Sequence, residues 1–223
     1  WADEQKLTIG PGDTESTISA SQSGNTVTLS FTAEPGLESA YFFSADNSIS
    51  PTAEQKLTAN ADGTYTVREG KWVAQAGEKK FETLQEAVAV GGEVKLLADV
   101  AVDAAVEVSK AVVLELNGFT VKTTENDKSG DGVFHVIAGG DLTINGEGTI
   151  NGVGGNDYNI AIWADGGKVT INGGYYTNVG ATGESDDHFD LIYVKHGGEV
   201  VINGGKFEAQ TPAWTLNSHD TKK

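Results

Sequence analysis

Apolar and polar residues alternate with a period of two through most of the chain, and the alternation changes character near residue 70. Before it, runs such as Thr26-Val27-Thr28-Leu29-Ser30-Phe31, Ala40-Tyr41-Phe42-Phe43 and Thr64-Tyr65-Thr66-Val67 are separated by turn formers, Glu34-Pro35-Gly36 and Ala61-Asp62-Gly63. Short β-runs at that spacing predict a small antiparallel sandwich over residues 1–70. Trp72-Val73-Ala74-Gln75, a turn at Gly77 and Lys79-Lys80-Phe81 then predict a hairpin. Thr83-Leu84-Gln85-Glu86 is a capping-box pattern that opens a short helix, with Phe81, Leu84 and Val88 on one apolar side. Hairpin and helix, over 71–90, are expected to cap the repetitive segment that begins at Gly91.

From Gly91 the chain is self-similar. Val133 through Gly146, Ile160 through Gly173 and Leu191 through Gly204 stack without gaps, each ending in Ile-Asn-Gly, and Leu116-Asn117-Gly118 is an earlier copy. Two apolar columns result, Val94/Leu114/Leu142/Val169/Val200 and Leu96/Leu116/Ile144/Ile171/Ile202, with Lys95, Glu115, Thr143, Thr170 and Val201 between them. Strands with one apolar side, repeated at variable steps, are what a coiled stack tolerates when its turns take the insertions. Stacking identical aliphatic columns about 4.8 Å apart buries side chains that contribute about 1.5–3 kcal/mol each. The fold class read from this is all-β, a right-handed parallel β-helix over 71–223 with its coils over 91–223. Asn117, Asn145, Asn172 and Asn203 recur at the strand exit and are read as a structural amide ladder between coils.

One further column stands out. In the gapless register His135, Ile162 and Tyr193 point outward as a partly apolar stripe. Such a row suggests a contact surface, either for assembly into a trimer or for stacking sugars. The reading depends on register, since a slip of one residue turns the strand over.

Composition narrows the chemistry. Cysteine is absent, which removes disulfides, thiolate nucleophiles and zinc ribbons. The 32 acidic residues against 15 basic ones leave a net charge of −17, and Arg68 is the sole arginine. Nucleic acid is therefore not an expected partner, because phosphate binding needs clustered Lys and Arg. No apolar run is long enough to cross a membrane, so no insertion is expected.

The candidate chemistry lies in Glu184-Ser185-Asp186-Asp187-His188-Phe189-Asp190, within the longest step between coils. As an extruded loop it is a solvated charge run, a cation or glycan site, or a pair of glycosidic carboxylates. Glu184, Asp186, Asp187, His188 and Asp190 are its candidate ligands, and calcium is the one cofactor it suggests. Asp165 and His196 fall one coil apart and read as a structural pair across the ladder, since no nucleophile accompanies them. The glycine-rich 151–159 stretch lacks lysine and is no phosphate loop.

Phe81-x-Thr83-Leu84-Gln85-Glu86-Ala87-Val88, Leu116-Asn117-Gly118 and the Gly-Gly-x-Φ-x-Ile-Asn-Gly coils resemble pectate-lyase-like β-helices. They are most similar to the non-enzymatic ones in fibres of phages infecting gut bacteria and in surface proteins of those bacteria. Asp62-Gly63-Thr64-Tyr65-Thr66-Val67 resembles a late strand of immunoglobulin-like bacterial surface modules, so the sandwich is expected to be of that kind. Enzymes of the β-helix family imply an arginine base or a Gly-His-Gly with Arg-x-Lys. Residues 71–223 hold no arginine, and His196-Gly197-Gly198 lacks the leading glycine.

The resemblance thus implies a non-catalytic structural or adhesive module of an extracellular fibre, most of all a phage head or tail fibre on the virion surface. It also implies a homotrimer anchored to a capsid or cell-surface protein, with host glycans as further partners. Its rivals are a polysaccharide lyase or glycoside hydrolase, and a glycan-binding protein of the bacterial surface. The chain opens at Trp1 without methionine and halts inside a coil begun at Ala213, so it reads as part of a longer protein.

Overall fold

The computed structural model describes the backbone of the strands within 1–69 and, with side chains, residues 70–124, 131–153, 159–181 and 189–219. The chain divides into two compact units, Trp1–Lys71 and Trp72–Lys223. In the first, β1 (Gln5–Leu7), β5 (Gln55–Ala59) and β6 (Tyr65–Glu69) form one antiparallel sheet. A second antiparallel sheet holds β2 (Thr17–Ser23), β3 (Thr26–Thr32) and β4 (Ser48–Ile49). The expected run Ala40–Phe43 lies outside the described residues.

The second unit is a parallel β-helix with one helix at its start. β7 (Ala74–Ala76) and β8 (Lys79–Phe81) make the hairpin, turning through Gly77 at φ 58°. α1 (Leu84–Val90) comes next, and the Thr83 hydroxyl accepts from the Glu86 backbone N–H at 3.2 Å. That bond gives an acceptor to one of the donors a helix start leaves without an intrahelical partner. Gly91 ends the helix at φ 82°, where a side chain would be strained. Leu84, Ala87 and Val88 are buried in the core of the stack, as are Phe81 and Ala74. Helix and hairpin therefore cap the first coil.

The coils carry three strands each. The first sheet stacks β9 (Gly92–Leu96), β12 (Ala111–Glu115), β15 (Asp141–Asn145), β18 (Lys168–Ile171) and β21 (Glu199–Ile202) in parallel, and β7 and β8 extend it. The second stacks β10 (Val100–Val102), β13 (Thr120–Thr123), β16 (Thr149–Asn151), β19 (Tyr175–Thr177) and β22 (Lys206–Glu208). The third stacks β11 (Val106–Val108), β14 (Phe134–Ile137), β17 (Ile162–Asp165), β20 (Ile192–Lys195) and β23 (Leu216–Ser218). Three walls five strands deep leave an interior filled by side chains.

Inward positions are aliphatic on every wall. Val94, Leu114, Ile144, Ile171 and Ile202 form one continuous column, and Val112, Leu142, Val169 and Val200 form its neighbour. Ile144 and Ile171 are fully buried, whereas Ile202 in the last described strand of that sheet is 39% exposed. Two aromatics, Tyr176 and Phe207, stack inside at 5.0 Å with planes 13° apart. Burial there pushes the Tyr176 phenol well above its ordinary pKa.

The columns correct the gapless alignment. Leu114 stacks on Ile144, not on Leu142. The shift arises at the corner before, where Val108 pairs with Val136 but Val112 pairs with Leu142, and the turn 116–119, one residue longer than its successor 146–148, takes back half of it. Leu116 lies in that turn with its side chain fully buried, filling the corner. A Cβ at Gly148 would lie 2.7 Å from the Leu116 Cβ, so the corner above needs glycine. In the last coil Leu216, rather than Trp214, stacks on Ile192.

The corners differ in a systematic way. Between the first and second sheets the connections are short, 97–99, 116–119, 146–148, 172–174 and 203–205. Between the third sheet and the next coil they are shorter still, 109–110, 138–140, 166–167 and 196–198. Stacking is tight at this closing corner: a Cβ at Gly140 would stand 2.2 Å from the Val108 carbonyl oxygen. The corner before the third sheet instead carries 124–133, 152–161 and 178–191. Insertions concentrate at one edge of the stack.

Candidate functional site

The outward row on the third sheet is aromatic, and its membership differs from the gapless reading. Strand pairing sets His135 beside Trp163 and Trp163 beside Tyr193, with Glu107 before them and Asn217 after. Ile162 is not part of the stripe. It points inward, fully buried, between Phe134 and Ile192. The reason is a missing residue: the turn 166–167 has no counterpart of Ala138 or His196, so β17 is shifted by one against its neighbours.

The rings are not equivalent. His135 and Trp163 stack face to face, centroids 4.3 Å apart and planes at 17°. Tyr193 stands 5.7 Å from Trp163 and is tilted by 48°, and His219 meets it edge-on at 6.4 Å. His135, Trp163 and Tyr193 are all half-buried. The Trp163 Nε1 donor is shielded from water and has no hydrogen-bond partner.

Beside this row lies a polar clamp across three coils. Asp165 Oδ2 meets His135 Nε2 at 3.1 Å, and Asp165 Oδ1 meets His196 Nδ1 at 2.5 Å. The side chains of His135 and Asp165 are 17% and 20% exposed and that of His196 is 63% exposed. Burial pushes the Asp165 carboxyl up, but hydrogen bonds from His196 and His135, then the attraction of their charges, outweigh it and hold the group below its ordinary range. The expected pair of Asp165 and His196 is present in space, although Lys195 is the strand partner of Asp165. His135 is a third member that residue spacing did not indicate. His196 makes this contact from a left-handed turn, φ 52°, that the histidine shares with Gly197 at φ 79°.

Of the acidic loop, Glu184, Asp186, Asp187 and His188 lie outside the described residues. Asp190 is described and is not a loop-tip carboxylate. It is buried, and its Oδ1 accepts from Asn217 Nδ2 at 3.0 Å. That bond ties one coil to the next. Among the described residues no group of three or more His, Asp or Glu converges as metal ligands.

Asn178, fully buried, anchors the neighbouring backbone. Its Nδ2 donates to the carbonyls of Asn159 at 3.1 Å and Phe189 at 3.3 Å, and its Oδ1 accepts from the Gln210 N–H at 2.8 Å. One amide thus satisfies backbone groups from three chain segments at the inserted corner. Its position outside the repeated Ile-Asn-Gly pattern gave no signal of this.

The amide ladder has three members. Asn172 Nδ2 donates to Asn145 Oδ1 and Asn203 Nδ2 to Asn172 Oδ1, both at 2.8 Å. Asn117 stands apart, since Glu115 is the strand partner of Asn145. Asn117 instead takes left-handed geometry, φ 52°, and donates to the Leu96 carbonyl at 3.0 Å.

No family model, curated protein or solved structure matches this chain. It is a parallel β-helix whose described candidate site is an outward aromatic row with a carboxylate clamp beside it.

Proposed function

We propose that the chain is a non-catalytic structural and adhesive module of an extracellular fibre. The observation that carries this is the division of labour in the coils. Aliphatic columns and an amide ladder serve the stack itself, whereas chain insertions and the row His135–Trp163–Tyr193 gather at the third sheet. Binding residues sit on loops and faces positioned by a rigid scaffold, so the third sheet is the adhesive one. The resemblance to pectate-lyase-like β-helices of phage fibres favours a virion head or tail fibre, with a bacterial surface protein as the second setting. Assembly as a homotrimer and attachment to a capsid or surface anchor belong to the same reading. The acidic excess keeps such a repetitive surface soluble and discourages non-specific adhesion.

The test is to measure the native mass of the chain, its adhesion to gut bacterial cells, and the products it releases from their polysaccharides. The reading expects three copies, saturable adhesion and no new reducing ends or unsaturated sugars. Turnover that vanishes in Asp186→Asn or Asp187→Asn would replace it with a carbohydrate-active enzyme.

A further inference from the structure

We propose that Tyr193, with Trp163 on the adjoining strand and Asp165 and Lys195 at the next outward position, forms a binding site for a neutral sugar ring. The inference rests on the adhesive reading and names the ligand class for it.

Three observations converge on this spot. First, outward positions on the first sheet are Glu93, Val113, Thr143, Thr170 and Val201, with no ring among them, whereas the equivalent row on the third sheet runs His135, Trp163, Tyr193. Second, the rings are not packed as one closed stack. His135 lies flat on Trp163, but Tyr193 is turned 48° from Trp163 and set 5.7 Å from it. Third, Asp165 and Lys195 are strand partners, two residues along from Trp163 and Tyr193, and so point to the same side. A carboxylate, whose two oxygens meet His135 and His196 and keep further lone pairs for a hydroxyl, and an ammonium donor therefore stand on the same side as the aromatic row.

A pyranose fits that chemistry. One side of it offers C–H groups with partial positive charge, which suit the negative face of an aromatic ring. Its rim offers hydroxyls that both donate to a carboxylate and accept from an ammonium. The charge of the chain selects among sugars. Asp165 and Lys195 balance locally, but the protein as a whole carries −17, so uronate- or sialate-bearing glycans are repelled and neutral ones are not.

The whole chain is tested on a glycan array carrying neutral oligosaccharides of glucose, galactose, mannose and N-acetylglucosamine beside galacturonate and sialylated ones. The best neutral probe is then titrated calorimetrically. We expect neutral probes to bind and anionic ones not to. The Kd should rise about tenfold in Tyr193→Ala, stay within about threefold in Tyr193→Phe, and be unchanged in Thr170→Ala on the first sheet. Circular dichroism and thermal melting of each variant identify any that fails to fold, and Asp165→Asn provides a second disabling change. Absence of neutral binding, preference for anionic probes, or wild-type affinity in Tyr193→Ala overturns the proposal. Adhesion to cells that Tyr193→Ala abolishes while no glycan binds points to a protein receptor, ending this inference but sparing the adhesive reading. Glycan binding without any adhesion does the reverse.

Discussion

The outer faces of the first and third sheets rest on the same aliphatic interior and carry opposite chemistry. The first is closed by short turns and carries aliphatic, hydroxyl and charged side chains but no ring, and the Asn145–Asn172–Asn203 ladder runs along its exit edge. The third comes after the inserted corner and bears the rings and the Asp165 clamp. Inward positions are interchangeable from coil to coil because each meets its own kind. Outward positions are not, so they are where one wall departs from another.

The largest break in this comparison comes from the shared interior. Ile171→Ala removes a fully buried side chain between Ile144 and Ile202 and should cost about 2–5 kcal/mol in urea unfolding. Thr170→Ala, one residue away and outward, should stay within about 0.5 kcal/mol. Equal effects would mean the interior column is not what holds the stack.

Next in size is the closing corner. A Cβ at Gly198 would sit 2.3 Å from the Ala164 carbonyl oxygen, a backbone atom that cannot swing aside. Gly198→Ala should therefore destabilise by about 1–3 kcal/mol, read as a lowered melting temperature.

The ladder sharpens the contrast at smaller scale. Asn172 both donates and accepts in it, so Asn172→Ala should cost about 1–2 kcal/mol. Asn117→Gly tests the other mechanism. Glycine keeps the left-handed turn easily while losing the bond to Leu96, so the cost should be smaller than for Asn172→Ala in the same thermal assay.

The smallest effect belongs to the third face. The folded state holds the Asp165 carboxyl below its ordinary range, so it favours the ionised form. Its contribution is present above the unfolded value near 3.9 and is lost as pH falls through the lower folded value. Urea unfolding across the range below about pH 4 should show a shallower acid dependence in Asp165→Asn than in the natural chain. The difference is expected to be slight, because the clamp is partly exposed to solvent.

The architecture was legible because burial imposes parity. Val94, Leu114, Leu142, Ile144, Val169 and Ile171 could be assigned to the inside from alternation alone, and all are buried. Register was less legible for two physical reasons. Sliding Leu114 from Ile144 to Leu142 is a shift of two residues, which leaves every side chain on its own face, so the pattern does not register the error. At 160–164 the residues Ile-Ala-Ile-Trp-Ala are all apolar, so no alternation existed to show that Trp163, not Ile162, faces out. The Asp165–His196 pair could be read from its place one coil apart, but the His135 member of the clamp and the Asn178 anchor depend on groups brought together across coils, and Asp190 is buried through a residue 27 positions later. Adjacent spacing carries no trace of such contacts.

The shortened turn at Gly166-Gly167 has an implication for how such a surface changes over generations. Because strands on either side of a corner keep their pairing, a residue lost or gained there is absorbed by the turn and leaves the exterior of every rung as it was. Trp163 keeps its place between His135 and Tyr193 although this turn is one residue shorter than 138–140 and 196–198. Indels at corners would then pass without disturbing the outer row, and point substitutions within that row would be the way for this scaffold to trade one recognition surface for another.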